Sequence, residues 1–209
     1  MTFELWLTFV AASFALLLIP GPTVLLVLSY ALSKGRSVAV ASAAGVALGD
    51  LVAMSASLAG LGALVLASAT LFTALKWVGA AYLVWLGFKL IRSAPSEGLS
   101  VPAADNITAS RVFGHTAAVT ALNPKSIAFF IAFVPQFLSP AAPLLPQFAI
   151  LIATFVTLAA LNALAYALLA DRLRQIIARP SIITWITRAG GAALITMGVL
   201  TATLRRSMP

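Results

Sequence analysis

The sequence predicts an all-α integral membrane protein. The expected architecture is about six transmembrane helices, arranged as two inverted three-helix repeats with a broken first helix in each half. Three observations support this. Of 209 residues, 62% are hydrophobic and only 9% are charged, with a mean hydropathy of +1.07. Soluble domains carry about 25% charged residues, so polar surface is too scarce here to cover a globule in water. Apolar runs recur at the length of about 20 residues that a bilayer span requires. Finally, the two halves of the chain echo each other in their prolines, glycines and polar residues.

Six segments are expected, in this order: about Phe3–Tyr30, Val38–Leu66, Leu71–Ile91, Val112–Leu138, Leu144–Ala170 and Ile182–Leu204. The N-terminal run carries only Glu4 as an early charge and lacks a basic leader region, so it reads as a retained span rather than a signal peptide. The first segment is interrupted by "PGP" at 20–22 and the fourth by "NPK" at 123–125. The second carries small residues at helical spacing, Gly45, Gly49, Ala53, Ala56 and Gly60, which suit close helix contact. No continuous alternation of polar and apolar residues supports a membrane barrel. The whole chain, 1–209, reads as a single transmembrane domain. Its first repeat is 1–92, a polar cytoplasmic linker covers 93–111, and the second repeat is 112–209.

The net charge of +8 does not indicate nucleic acid, because the basic residues fall between apolar segments. Lys34 and Arg36 follow the first segment. Lys89, Arg92 and Arg111 lie between the third and fourth, and Arg172, Arg174, Arg179 and Arg188 between the fifth and sixth. The positive-inside rule places these turns in the cytoplasm and both termini outside. Arg205 and Arg206 at the C-terminus run against that pattern, and Lys76 near the outer end of the third segment reads as an anchor. The chain has no cysteine, which excludes disulfides and thiolate metal sites.

The repeat is visible in the glycines. Gly79 and Gly87 in the third segment have the spacing of Gly190 and Gly198 in the sixth. Pro20 and Pro22 match Pro124, and Asp50 falls about where the fifth segment has Asn162. Three spans per repeat force the second copy to be inverted. Inverted repeats with broken helices and a midplane site characterise secondary transporters.

The candidate site follows from depth. At about 1.5 Å per residue, Asp50 lies roughly 20 Å from Arg36, and Lys125 and Pro20 lie equally deep. Ionisable residues there are costly and point to function. Asp50 and Lys125 have two readings: a structural ion pair between helices, or two walls of a hydrated cavity that contacts a charged substrate or proton. Each proline break frees carbonyls that can accept from an ammonium. The restarting helix presents N–H groups and a positive dipole end that can hold a carboxylate. Together these features suit a zwitterion. Asn162, Tyr166 and Ser57 are secondary candidates. A hydrogen bond to another helix is the ordinary role for Asn162, and His115, the only histidine, reads as interfacial.

"PGP", "GVALGD", "KWVGAAYLVWLGFKLIR" and "FGHTAAVTALNPKSIAFFIAFVPQF" occur in this order. In this pattern the chain resembles the lysine-exporter/homoserine-resistance (LysE/RhtB) family over nearly its whole length. The resemblance implies a bacterial inner-membrane exporter of a small amino acid or derivative, driven by protons, with no cofactor and no covalent chemistry. The homoserine, threonine and leucine branch is the expected one. The family's motif positions fall on Pro20, Gly21, Pro22, Gly49, Asp50, Asn123, Pro124 and Lys125. After Phe137 the chain departs into generic apolar sequence. The expected partners are the substrate, protons and the lipid bilayer, with homo-oligomerisation open. Cation export is the alternative, although one histidine and one deep carboxylate make a poor transition-metal site. An intramembrane enzyme would need a nucleophile–base pair or metal cluster that the sequence does not offer.

Overall fold

A computed structural model describes residues 2–19, 21–34, 36–92, 108–138, 142–170, 172 and 179–203. These residues form helices joined by short breaks, with no strand among them. The helices are α1 (Phe3–Leu18), α2 (Pro22–Lys34), α3 (Arg36–Ala67), α4 (Ala69–Arg92), α5 (Ala109–Ala121) and α6 (Pro124–Ala132). A 3-10 turn, Val134–Phe137, follows α6, and the chain continues with α7 (Leu144–Leu168) and α8 (Pro180–Thr203). Each of the six expected apolar segments corresponds to one helix or one broken pair. Residues 93–107 of the expected linker lie outside the described residues. Its last residues are helical instead: Thr108 caps α5 by accepting from the Arg111 amide.

The two breaks fall where proline chemistry puts them. Ile19 precedes Pro20 and is extended, with φ −70° and ψ 115°. A residue before proline is pushed out of the α region, so α1 stops there. The chain restarts with Pro22 as the first residue of α2 and turns by 59°. Asn123 precedes Pro124 and is extended likewise, with φ −69° and ψ 110°. Pro124 then takes the first position of α6, where its missing N–H costs nothing. The bend there is 45°.

Among the described residues, three helices have stretches long and apolar enough to cross a membrane: Val38–Ala63, Thr73–Arg92 and Leu144–Leu168. If each bent pair is one span, the candidates rise to five. The sixth expected span, α8, is not among these candidates, which are drawn from the described residues. Large apolar side chains point outward, including Leu145 at 79% exposure and Trp185 at 72%. Such an exterior is matched to lipid rather than water. At the C-terminal end of α4, Lys89 lies over the Trp85 ring at 5.1 Å and Arg92 over Phe88 at 5.0 Å.

Packing depends on small residues. A Cβ built at Gly49 would lie 2.6 Å from the Ala117 carbonyl, and one at Gly45 would collide with Thr116, so α3 and α5 touch along their backbones. The expected stripe continues to Ala53, which is buried, and ends there as a contact: Ala56 and Gly60 are exposed, and nothing lies near Gly60. On the other side of the molecule α4 and α8 pack antiparallel. Gly191 faces the Gly87 carbonyl, while Gly198 faces the Ala80 carbonyl at 2.8 Å from a built Cβ. Along α7, Gln147, Leu151, Phe155, Ala159, Ala163 and Ala167 are buried at four-residue spacing. That stripe tapers from a phenylalanine to alanines. The large end joins a cluster of rings, with Phe130 and Phe155 edge to face at 4.8 Å and Phe9 against Phe137 at 5.2 Å. The small end leaves space beside α3.

Candidate functional site: the cavity at the helix breaks

That space is a cavity of about 30 Å³, lined from α1, α2, α3, α5, α6 and α7 and from Asn123. A volume of this size holds water rather than an amino acid. Asp50, Asn123, Lys125, Asn162 and Tyr166 all line it, as do Thr23, Thr120 and Ser126. The apolar part of the wall includes Leu16, Leu17, Val24, Val27 and Val46, with Ala159 and Ala163 supplying the room.

The C-terminal end of α1 organises the polar side. A helix leaves its last carbonyls without intrahelical donors, and water that could serve them is scarce at membrane depth. Here four consecutive carbonyls accept from side chains of other helices. Lys125 Nζ donates to the Leu16 carbonyl at 3.2 Å and to the Ile19 carbonyl at 3.0 Å. Asn162 Nδ2 donates to the Leu17 carbonyl at 3.2 Å, and the Tyr166 hydroxyl to the Leu18 carbonyl at 3.3 Å. The ammonium therefore sits at the negative end of the α1 dipole. Gly21 backs it: a Cβ there would lie 3.5 Å from Nζ.

The α6 end is assembled locally. Asn123 Oδ1 accepts from the Lys125 amide at 3.0 Å and so caps the helix. Its Nδ2 donates to Thr23 Oγ1 at 3.3 Å, and the Thr120 hydroxyl reaches the same oxygen at 3.4 Å. Asn123 and two threonines thus tie the second break to the first residues of α2.

Asp50 is 2% exposed and projects from α3 into the same cavity. Its Oδ1 has no hydrogen-bond partner among the described residues. The simple ion-pair reading needs revision, since Lys125 spends its hydrogen bonds on the α1 carbonyls. The two charges share a cavity without a hydrogen bond between them among the described residues.

The other expected positions fall as follows. Gly49 packs on α5 and does not line the cavity, and Pro22 and Pro124 are exposed first residues of their helices. Ser57 lies two turns beyond Asp50 on α3 and is not part of the lining. Pro20 lies outside the described residues. His115 is exposed, but its Nδ1 lies 2.6 Å from the hydroxyl of buried Tyr30. The sequence analysis missed Thr23, Thr120 and Ser126. Their signal was present as a hydroxyl directly after "PGP" and hydroxyls flanking "NPK". Among the described residues no three His, Cys, Asp or Glu side chains cluster as metal ligands.

Apolar helices with outward aromatic residues, two of them broken around a shared polar cavity, define a helical membrane protein with an internal polar site. Comparison with known families places it further. The chain belongs to the LysE type translocator family, whose model matches residues 14–205. It is 35% identical over 207 residues to the homoserine/homoserine lactone efflux protein of Salmonella typhimurium, covering 99% of this chain and 100% of that one. It is 33% identical over 135 residues to the leucine efflux protein of an Enterobacter species, covering 65% of this chain and 64% of that protein. A Vibrio cholerae relative, described only as an uncharacterized membrane protein, is 32% identical over 206 residues. No solved structure matches the chain.

Proposed function

We propose that this protein is a secondary transporter that exports a small amino acid or derivative, of the homoserine, threonine or leucine kind, from the cytoplasm in exchange for protons. The observation that carries the reading is the cavity at the helix breaks, where carbonyl acceptors, an ammonium, a carboxylate and hydroxyl donors meet. A zwitterion needs both kinds of partner. The α1 carbonyls suit its ammonium. Thr23, Asn123, Ser126 and the N-terminal end of α6 suit its carboxylate. Family membership and the names of the relatives support the same class of cargo. They give no support to cation export.

In this reading the protein sits in a bacterial inner membrane with six spans and both termini periplasmic, and α8 supplies the sixth. The inverted repeat is supported by matched surroundings: Leu83 and Leu194, each four residues after the first glycine of its pair, are both fully buried. Gly79 packs on Ala132 and Gly190 on Ile19, so each first glycine meets the broken helix of the other half. Asp50 is the protonation site, facing the cavity without a fixed hydrogen-bond partner for Oδ1. A cavity of about 30 Å³ is too small for the cargo, so the helices described here are in a closed arrangement that must open to load.

The test is a metabolite comparison of media from expressing and control cells, followed by counterflow of the enriched compound in proteoliposomes. Enrichment of a homoserine-, threonine- or leucine-like amino acid is expected. Enrichment of no amino acid, with a gain in metal tolerance instead, contradicts the reading.

A further inference from the structure

We infer that the carbonyls ending α1 form the subsite for the cargo's ammonium, and that Lys125 occupies this subsite until cargo displaces it toward Asp50. The inference rests on the amino-acid reading above and specifies how that cavity selects its cargo.

Four consecutive carbonyls, Leu16 to Ile19, face donors from other helices. Such a set concentrates negative potential without a formal charge, which fits a primary ammonium. Lys125 already supplies that chemical group, with Nζ held by the first and last carbonyls of the set. A cargo ammonium is the same group without the tether. Both cannot occupy the cup, because two cations at hydrogen-bond distance from shared acceptors repel strongly.

The displaced ammonium has a place to go. Asp50 lines the same cavity, is 2% exposed and has an Oδ1 without a partner among the described residues. The lysine stem is flexible, whereas an arginine fork would be stiff and planar. Gly21 adds no side chain beside Nζ, so the head group can leave. Loading then exchanges one ammonium for another in the cup and forms a Lys125–Asp50 pair. The pair would in turn restrain Asp50 from taking up a proton while cargo is bound. Asn162 and Tyr166 hold the middle two carbonyls in place throughout.

The test uses the full-length protein in detergent, with radiolabelled L-leucine and L-homoserine as probes and two competitors. Leucinamide keeps the ammonium and lacks the carboxylate. The acid 4-methylpentanoate keeps the carboxylate and lacks the ammonium. Leucinamide is expected to compete, and 4-methylpentanoate to compete at least about tenfold more weakly, since a site built around a polar group rejects analogues that lack it. Lys125→Met supplies the second arm. It empties the cup of its tethered occupant, so L-leucine binds at least as tightly as to the unmodified protein while counterflow falls by on the order of tenfold or more. Competition by 4-methylpentanoate within a few-fold of L-leucine overturns the subsite. So does loss of L-leucine binding in a folded Lys125→Met protein, which would make the lysine a direct cargo ligand. If the unmodified protein binds and counterflows neither amino acid, the amino-acid reading itself falls, and the subsite falls with it.

Discussion

The two helix breaks solve one problem in opposite ways. At the second break the cap is local: Asn123 bonds the Lys125 amide two residues on, and the Leu122 and Asn123 amides return to α5 carbonyls. At the first break the Ile19 amide also returns to the Leu16 carbonyl, but the four α1 carbonyls further accept from side chains 106 to 148 residues away in sequence. A local cap forms with its helix and stays. A cap borrowed from other helices can be exchanged for something else that donates. The second break therefore reads as the fixed end of the site and the first as its exchangeable end.

Substitutions can separate these roles. The largest effect is expected from Lys125→Met, which removes two charge-assisted bonds from the first break. Stability in detergent should fall by about 3–6 kcal/mol, measured by thermal unfolding, at roughly 1.5–3 kcal/mol for each of the two bonds. Next comes Gly49→Ala, whose Cβ would lie 2.6 Å from the Ala117 carbonyl and push α5, with the second break behind it, away from α3. Overpacking of this sort costs about 1–3 kcal/mol, and the melting temperature should drop accordingly. Asn123→Ala removes the local cap and should cost about 1 kcal/mol. Its counterflow should slow for all amino-acid cargos alike, because each carries the carboxylate that this end of the site suits. Tyr166→Phe removes one bond, to the Leu18 carbonyl. A loss of no more than about 1 kcal/mol is expected, and competition assays should show the change confined to the ammonium side of the cargo. If Asn123→Ala proved more selective among amino-acid cargos than Tyr166→Phe, the assignment of fixed and exchangeable ends would be reversed.

This contrast also explains what the sequence made legible. Segment boundaries were readable because hydropathy is summed over many residues, and the helices begin and end within a few residues of the expected limits. Both breaks were readable because proline acts on its immediate neighbours. Convergence of Asp50 and Lys125 on one level followed from counting residues from the basic turns. Counting fixes depth but not direction around a helix axis. Depth alone thus left two readings open, an ion pair or two walls of a cavity; both side chains line one cavity, and Lys125 turns to the α1 carbonyls. Ser57 does not line the cavity, for the same reason: it was placed by spacing along α3, with no means of knowing which neighbour α3 would face there. The stripe from Gly45 to Gly60 was half right. Contact requires a partner helix, and α5 meets α3 at Gly45 and Gly49 while Gly60 has nothing near it. The tyrosine–histidine contact between Tyr30 and His115 joins residues 85 apart and had no local signal at all.

The central claim is that an amino acid leaves through this cavity and that Asp50 couples its exit to protons. Counterflow of radiolabelled L-homoserine into proteoliposomes, with and without an imposed pH gradient, tests it most directly. The account predicts uptake by the unmodified protein that responds to the gradient, and a folded Asp50→Asn protein whose residual uptake ignores it. Transport by Asp50→Asn at the normal rate, with the gradient response intact, would contradict the account.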